Sequence, residues 1–98
     1  MQHNYFVYIV TNFNRSTIYT GVTNDLKRRI FEHYNELFPG FTKNYKCKYL
    51  VFFERFQFID HAITREKQIK SWRREKKDKL INGLNPDWNF LNDEIEGW

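Results

Sequence analysis

Two runs of apolar, aromatic and β-branched residues, separated by a stretch of turn chemistry, constrain this chain more than any other feature. Tyr5 to Thr11 is apolar and aromatic almost without interruption, the pattern of a strand buried on both faces. Asn12-Phe13-Asn14-Arg15-Ser16 brings side chains that hydrogen-bond their own backbone in turns. Thr17 to Val22 reads as a second strand, so the two runs form an antiparallel hairpin.

The rest of the chain follows from that start. Thr23-Asn24-Asp25 offers N-cap residues for a helix from Leu26 to about Phe38, which Pro39-Gly40 ends. A polar, basic loop from Phe41 to Cys47 leads to a third strand, Tyr49 to Phe56. Asp60 can cap a second helix, roughly His61 to Ser71, and a further helical stretch runs from about Arg74 to Asn82 and stops at Gly83. The pattern leaves open whether these two join or kink near Trp72. The tail from Asn85 to Leu91 is expected to pack its rings back on the body. The order β-β-α-β-α-α predicts an α+β fold, an α/β sandwich in which a small three-stranded, mainly antiparallel sheet is flanked by helices. With no repeat, low-complexity segment or linker, residues 1–98 are expected to form a single domain.

Composition limits the function classes. Hydrophobic residues make up 41% of the chain and aromatics 19%, which excludes a disordered tail. The single Cys47 excludes an internal disulfide and a multi-cysteine zinc site, and is expected to be a half-buried structural thiol. MQHNYFVYIV lacks the basic segment and apolar length of a signal peptide, and no run reaches the ~18 apolar residues of a membrane helix, so a cytoplasmic, soluble protein is expected. The net charge of +4 says little alone. Its distribution says more: Arg65, Lys67, Lys70, Arg73, Arg74, Lys76, Lys77 and Lys79 crowd one stretch against Glu66, Glu75 and Asp78. No helix has a broad aromatic-studded face left for lipid, so nucleic acid is favoured over a membrane.

Several polar residues fall where core residues are expected. On a helix turning roughly 100° per residue, Leu26, Ile30 and Leu37 share a stripe with Tyr34 beside it, and Arg29 and His33 lie on its flank. Arg28 points nearly the opposite way, as an ordinary solvated charge. In the second helix Ala62, Ile63 and Ile69 define an apolar arc that contains Glu66. A carboxylate there is costly unless paired or bound to a cation. Either a salt bridge to Arg29, Arg73 or Lys70 locks the helices, or Glu66 is a metal ligand for a hard cation that keeps most of its water. Tyr8 shares a strand face with Phe6 and Val10, and Tyr19 one with Gly21. If the strands pair, both phenols can reach one side of the sheet, as core rings or as site residues. Gly21 permits either close approach of backbone to a ligand or a tight turn. Other reaction templates are missing. There is no glycine-rich phosphate loop and no His-x-x-x-His pair, and Asp25, Glu32, Glu54 and Asp60 lack paired helical spacing. Ser16 and Ser71 sit in no nucleophile elbow.

Phe6-Val7-Tyr8-Ile9-Val10, Ile18-Tyr19-Thr20-Gly21 and Asn24-Asp25-Leu26-Lys27-Arg28-Arg29 with Glu32-His33 resemble the opening of a GIY-YIG nuclease domain. Phe6-Val7 stands where the name-giving Gly-Ile would be, and Thr20 replaces an Ile; neither change removes a side chain that does chemistry. Arg29, eight residues after Gly21, matches the catalytic arginine of that family, and His33 a position carrying His or Tyr. Ala62 to Trp72 resembles the helix with the metal-binding glutamate, here Glu66, and Asn85-Pro86-Asp87-Trp88-Asn89 the closing segment, with Asn89 as an active-site asparagine.

The chain is thus similar to small stand-alone members of the family and to the GIY-YIG domain of the bacterial excision-repair nuclease subunit. The resemblance implies a metal-dependent endonuclease, acting on DNA rather than RNA, with a place in DNA repair or processing. It implies one divalent cation, Mg²⁺ or Mn²⁺, on Glu66, phosphate binding by Arg29, and water activation by Tyr8 or Tyr19 with help from His33. Lys43, Lys46, Lys70, Arg73, Arg74 and Lys77 are the expected nucleic-acid contacts, with Lys48 as a further loop lysine. Sequence specificity is expected to be low or supplied by a protein partner. Two other functions fit the same residues: a non-catalytic nucleic-acid-binding module, and a protein-interaction module using exposed rings such as Trp72 or Trp98.

Overall fold

The computed structural model describes residues 4–98. Strands β1 (Tyr5–Thr11), β2 (Ile18–Thr23) and β3 (Tyr49–Phe56) form one antiparallel sheet in the order β2-β1-β3. Helices α1 (Leu26–Tyr34), α3 (Ile59–Lys70) and α4 (Arg74–Leu84) flank it, and α2 (Phe41–Asn44) is a single turn between α1 and β3. The expected α+β architecture and β-β-α-β-α-α order are those of the protein; α2 and a closing 3₁₀ turn (Asp93–Ile95) are additions to it.

β1 is the central strand, which is why its residues are apolar on both sides. Phe6, Tyr8 and Val10 face a core with Leu26 and Ile30 of α1, Cys47, Leu50 and Ile95. Val7 and Ile9 face a second core with Val51, Phe52, Ala62 and Ile69 of α3 and Ile81 of α4. A bulge makes this division possible. Ile9 pairs with Phe52 but Val10 with Leu50, so Val51 is the extra residue and joins Phe52 on the α3 side.

The hairpin turn is closed by side chains. Thr11 Oγ1 donates to the Thr17 carbonyl at 2.8 Å and the Thr17 N–H donates to Asn12 Oδ1 at 3.0 Å, so the second strand starts at Ile18 and not at Thr17. Asp25 caps α1 through the Arg28 N–H. The helix ends at Tyr34, four residues before the predicted Phe38. The Leu37 N–H reaches back to the Glu32 carbonyl at 3.0 Å and that of Glu36 to His33 at 3.1 Å, with Glu36 left-handed at φ 55. These are the two bonds of a Schellman cap, formed here without the glycine that usually announces it. Leu37 therefore lies beyond the helix and is exposed, as is Tyr34, contrary to the predicted stripe; His33 is buried in their place.

Three other boundaries differ. α3 begins at Ile59 with Phe58 as an N-cap that makes no side-chain bond, and Asp60 sits in its first turn, placing charge near the positive end without capping. Ile63 of the predicted apolar arc is exposed. Gly83 does not stop α4, which continues to Leu84 with Asn85 as C-cap. The α3–α4 question resolves as a break: Ser71 to Arg73 lie outside both helices, with Trp72 packed on the second core.

The tail does pack back, and side-chain amides fasten it. Asn85 Nδ2 donates to the Val51 and Asn89 carbonyls, each at 2.9 Å. Asn92 brackets the start of β3, accepting from the Leu50 N–H at 2.9 Å and donating to the Lys48 carbonyl at 3.1 Å. An otherwise open sheet edge is thereby covered. Cys47 is fully buried, more so than expected, and burial pushes its thiol up to about 11, so it is a packed neutral group. Among the described residues, no helix is long and apolar enough to cross a membrane.

Candidate active site

Hairpin register brings the two tyrosines together. Tyr8 pairs with Gly21 and Val10 with Tyr19, and cross-strand partners point to the same face. Gly21 lies mid-strand with no unusual φ, so it is not a tight turn. A Cβ at Gly21 would overlap the Tyr8 hydroxyl and ring. The glycine exists to let the Tyr8 ring lie flat across β2.

So laid down, the Tyr8 hydroxyl meets α1. It is 2.8 Å from His33 Nε2, in a buried contact. The Tyr19 ring stands 6.0 Å from the His33 ring, edge to face. Arg29, one turn before His33, has its guanidinium 5.1 Å from the centre of the Phe38 ring. Tyr8, Tyr19, Arg29 and His33 thus line one cleft of about 290 Å³ together with Phe38, Pro39, Phe41 and Thr42. A larger hollow of about 520 Å³ beside Phe31 and Trp98 is lined by the exposed side chains of Asn24, Asp25, Lys27 and Arg28 instead of buried polar groups.

Within α1 the two neighbouring arginines diverge. The Arg28 side chain is 73% exposed and that of Arg29 35%. Glu32 pairs with both, at 3.5 Å from Arg28 Nε and 3.3 Å from Arg29 Nε. The second contact lacks hydrogen-bond alignment, so Arg29 Nε is buried with no hydrogen bond among the described residues, and His33 Nδ1 is in the same condition. A buried polar atom left unpaired costs about 1–3 kcal/mol.

The electrostatics keep Tyr8 and His33 uncharged beside the arginine. Burial pushes the Tyr8 phenol well above its ordinary value; Arg29 pulls it down, while Tyr19 and Glu66 push it further up. Desolvation outweighs the lowering by Arg29 at this phenol. His33 is lowered to about 4, first by burial and then by the positive charge of Arg29, so it is neutral at pH 7.

Glu66 approaches from the other layer. α3 packs against β1 and β2, and Lys70, one turn after Glu66, reaches around the edge strand to stand 5.3 Å from the centre of the Tyr19 ring. The Glu66 side chain is 15% exposed, and Lys70 Nζ lies 3.2 Å from its Oε2; of the three cations considered, Lys70 is its partner. Glu66 is not a lining residue of the cleft, yet its charge is felt at Tyr8. Among the described residues no group of three His, Cys, Asp or Glu could hold a metal.

Asn89 does not join the cleft. It lines a separate hollow beside Asn85 and Glu94, and only its backbone is used, in bonds to the Asn85 side chain. The buried asparagine of that segment is Asn85. The expected nucleic-acid contacts also divide. Lys43 and Arg73 are exposed, Lys77 is half-buried, and Lys70 is held by Glu66. Lys46 pairs with Glu36 at 2.7 Å. Arg74 donates to Asp78 and to the carbonyls of Ser16 and Arg15. Sequence reasoning missed Phe38, Phe41 and Thr42 as cleft walls. It also missed Glu32 as the brace of Arg29, although its three-residue spacing from Arg29 was a legible signal.

The GIY-YIG catalytic domain profile matches residues 4–80, which include Tyr8, Tyr19, Arg29, His33 and Glu66 but not Asn89. Over 80 residues the chain is 40% identical to a UPF0213 protein of Haloquadratum walsbyi, covering 82% of this chain and 89% of that one. A UPF0213 protein of Staphylococcus saprophyticus is 36% identical over 78 residues, covering 80% and 94%. The solution NMR structure of a UPF0213 protein from Bacillus halodurans superposes with a TM-score of 0.57 at 26% identity over 95% of both chains. Sequence, fold and spacing agree: the chain belongs to the GIY-YIG family, a family of nucleases.

Proposed function

We propose that this protein is a metal-dependent endonuclease that hydrolyses phosphodiester bonds in nucleic acid, DNA in preference to RNA. The observation that carries this reading is the convergence of Tyr8, Tyr19, Arg29 and His33 on one cleft, where Glu32 braces Arg29 through Nε and the Arg29 side chain stays 35% exposed. The guanidinium fork suits phosphate oxygens. The preference for DNA, and a role in repair or processing, rest on the likeness to the excision-repair nuclease subunit.

Glu66 is the residue that would hold a divalent cation, Mg²⁺ or Mn²⁺. The donor set suits a hard ion: one largely buried carboxylate, and among the described residues no cluster of His, Cys and acids that would select a softer metal. When bound, the cation supplies Lewis-acid stabilisation to the phosphate and its leaving oxygen. The chain's own residues do the rest. Arg29 binds and orients the phosphate. Tyr8 takes the proton of the attacking water as its own passes along the 2.8 Å bond to His33 Nε2, so that no free phenolate forms in a buried site. A phosphate on Arg29 offsets the charge that holds His33 down, which eases that transfer. Tyr19, half-buried at the rim, orients the water.

The test is incubation with branched, single-stranded and duplex DNA and RNA in Mg²⁺, Mn²⁺ or EDTA. Metal-dependent cutting by the wild type, lost in Glu66→Ala, is the expected result. One observation favours a second reading, a non-catalytic nucleic-acid-binding module: Lys70 already neutralises Glu66. Binding that EDTA leaves unchanged, with no cutting under any condition, decides for it.

A further inference from the structure

Next to the cleft, α2 carries exposed rings that the fold does not use. Phe41 is 44% exposed and Tyr45 54%, yet they lie against each other with ring centres 4.6 Å apart and planes 34° apart. Phe41 also stands 6.0 Å from Tyr19 at 30°. Tyr19, Phe41 and Tyr45 thus make a row of rings, each tilted about a third of a right angle from the last, leading out of the cleft to solvent. Such a row is costly to leave in water unless something covers it. The charge around it says what. Lys43, between the two rings in sequence, is exposed and makes no ion pair among the described residues, and Lys70 lies over the Tyr19 ring.

From these positions we infer that Phe41 and Tyr45 form a stacking platform for a nucleobase of the bound strand, one step from the phosphate held at Arg29, with Lys43 on the adjoining backbone. Every base offers a π-face, so the platform holds a base in place without reading its identity. It positions the strand and does no chemistry. A stacked base must be turned out of any duplex, so the platform favours strands unpaired next to the bound phosphate. The inference rests on the nucleic-acid reading above, but not on turnover.

The test separates the two. In EDTA, where nothing is cut, fluorescence titration compares a single-stranded oligonucleotide carrying 2-aminopurine with one of equal length and charge whose middle positions are abasic. The wild type is expected to quench 2-aminopurine and to bind the base-bearing strand at least about tenfold tighter than the abasic one. Phe41→Leu and Tyr45→Leu keep an apolar side chain but no π-face. Both are expected to lose that advantage and the quenching, with Tyr45→Leu binding the abasic strand as before, and Tyr45→Trp to restore both. Circular dichroism and urea unfolding confirm that the variants are folded. Equal affinity of the wild type for the two strands, or a loss in the Leu variants that is the same on both, overturns the platform. If the platform result holds and no strand is cut in Mg²⁺ or Mn²⁺, only the enzyme reading falls. Cutting with no base-dependent binding removes only the platform. No binding to any strand removes both.

Discussion

A glycine and an arginine show how much rests on single positions. Gly21→Ala adds one methyl group where the Tyr8 hydroxyl and ring lie, and that hydroxyl is held by His33 of α1. Forcing an atom into a packed site costs about 1–3 kcal/mol, and here it also drives the hydroxyl off His33. Denaturant unfolding of Gly21→Ala should show that loss, together with a fall in any nuclease activity; wild-type stability in the variant would mean the ring moves freely. Arg29 and Arg28 make an internal control. Both contact Glu32 and both carry one charge, but only Arg29 enters the cleft. Removing a group that stabilises transition-state charge typically costs ~10²–10³ in rate, so Arg29→Ala should lose activity on that scale and Arg28→Ala should remain near wild type. Equal losses in the two variants sink the site.

Elements are where sequence periodicity speaks clearly and where it stops. Three strands and three main helices were legible because burial imposes a repeat on their residues, and that repeat needs no knowledge of the partner. Their ends were less so. α1 stops at a Schellman cap built on Glu36, a residue with no special liking for φ 55, so nothing local marks the position. α4 runs through Gly83 because the stop comes from Asn85, whose side chain serves β3 and the tail rather than its own helix. That residue carries a prediction. Asn85 is buried and its amide makes three bonds, to Val51, to the Asn89 carbonyl and from the Asn89 N–H. Asn85→Ala leaves two backbone groups of Asn89 and one buried carbonyl of β3 without their amide partner. At about 1 kcal/mol each, with water replacing some of them, the loss is roughly 2–3 kcal/mol in urea unfolding. Asn89→Ala keeps all three bonds, since only its backbone takes part, and should change stability little.

For the molecule as a whole, the sequence pattern could place Arg29, His33 and Glu66 on faces but could not say which groups would meet. The Tyr8–His33 bond spans 25 positions, and it depends on a hairpin register and a glycine that no helical period reveals. The neutrality of Tyr8 and His33 is likewise a property of the assembled fold, and it has a consequence for global stability. His33 faces Tyr8 and Tyr19 from the sheet and Arg29 and Glu32 from its own helix. In the unfolded chain it takes a proton near its ordinary value of 6.5; folded, only near 4. Between those values the unfolded state binds more protons, so stability rises with pH across the window. The contribution is complete above about pH 6.5 and is lost as pH falls toward 4, a total of roughly 3 kcal/mol. Glu36, lowered to about 2 by its bonds to Lys46 and Lys48, acts in the same direction but in a lower window, from about 4.5 down. The two are therefore separable. Guanidinium unfolding midpoints of the wild type should hold steady from pH 8 to 7 and then fall between 6.5 and 4.5, whereas His33→Gln should be flat over that range and fall only below it. A wild type flat from pH 7 to 5 would show that imidazole to be solvated and the cleft open to water.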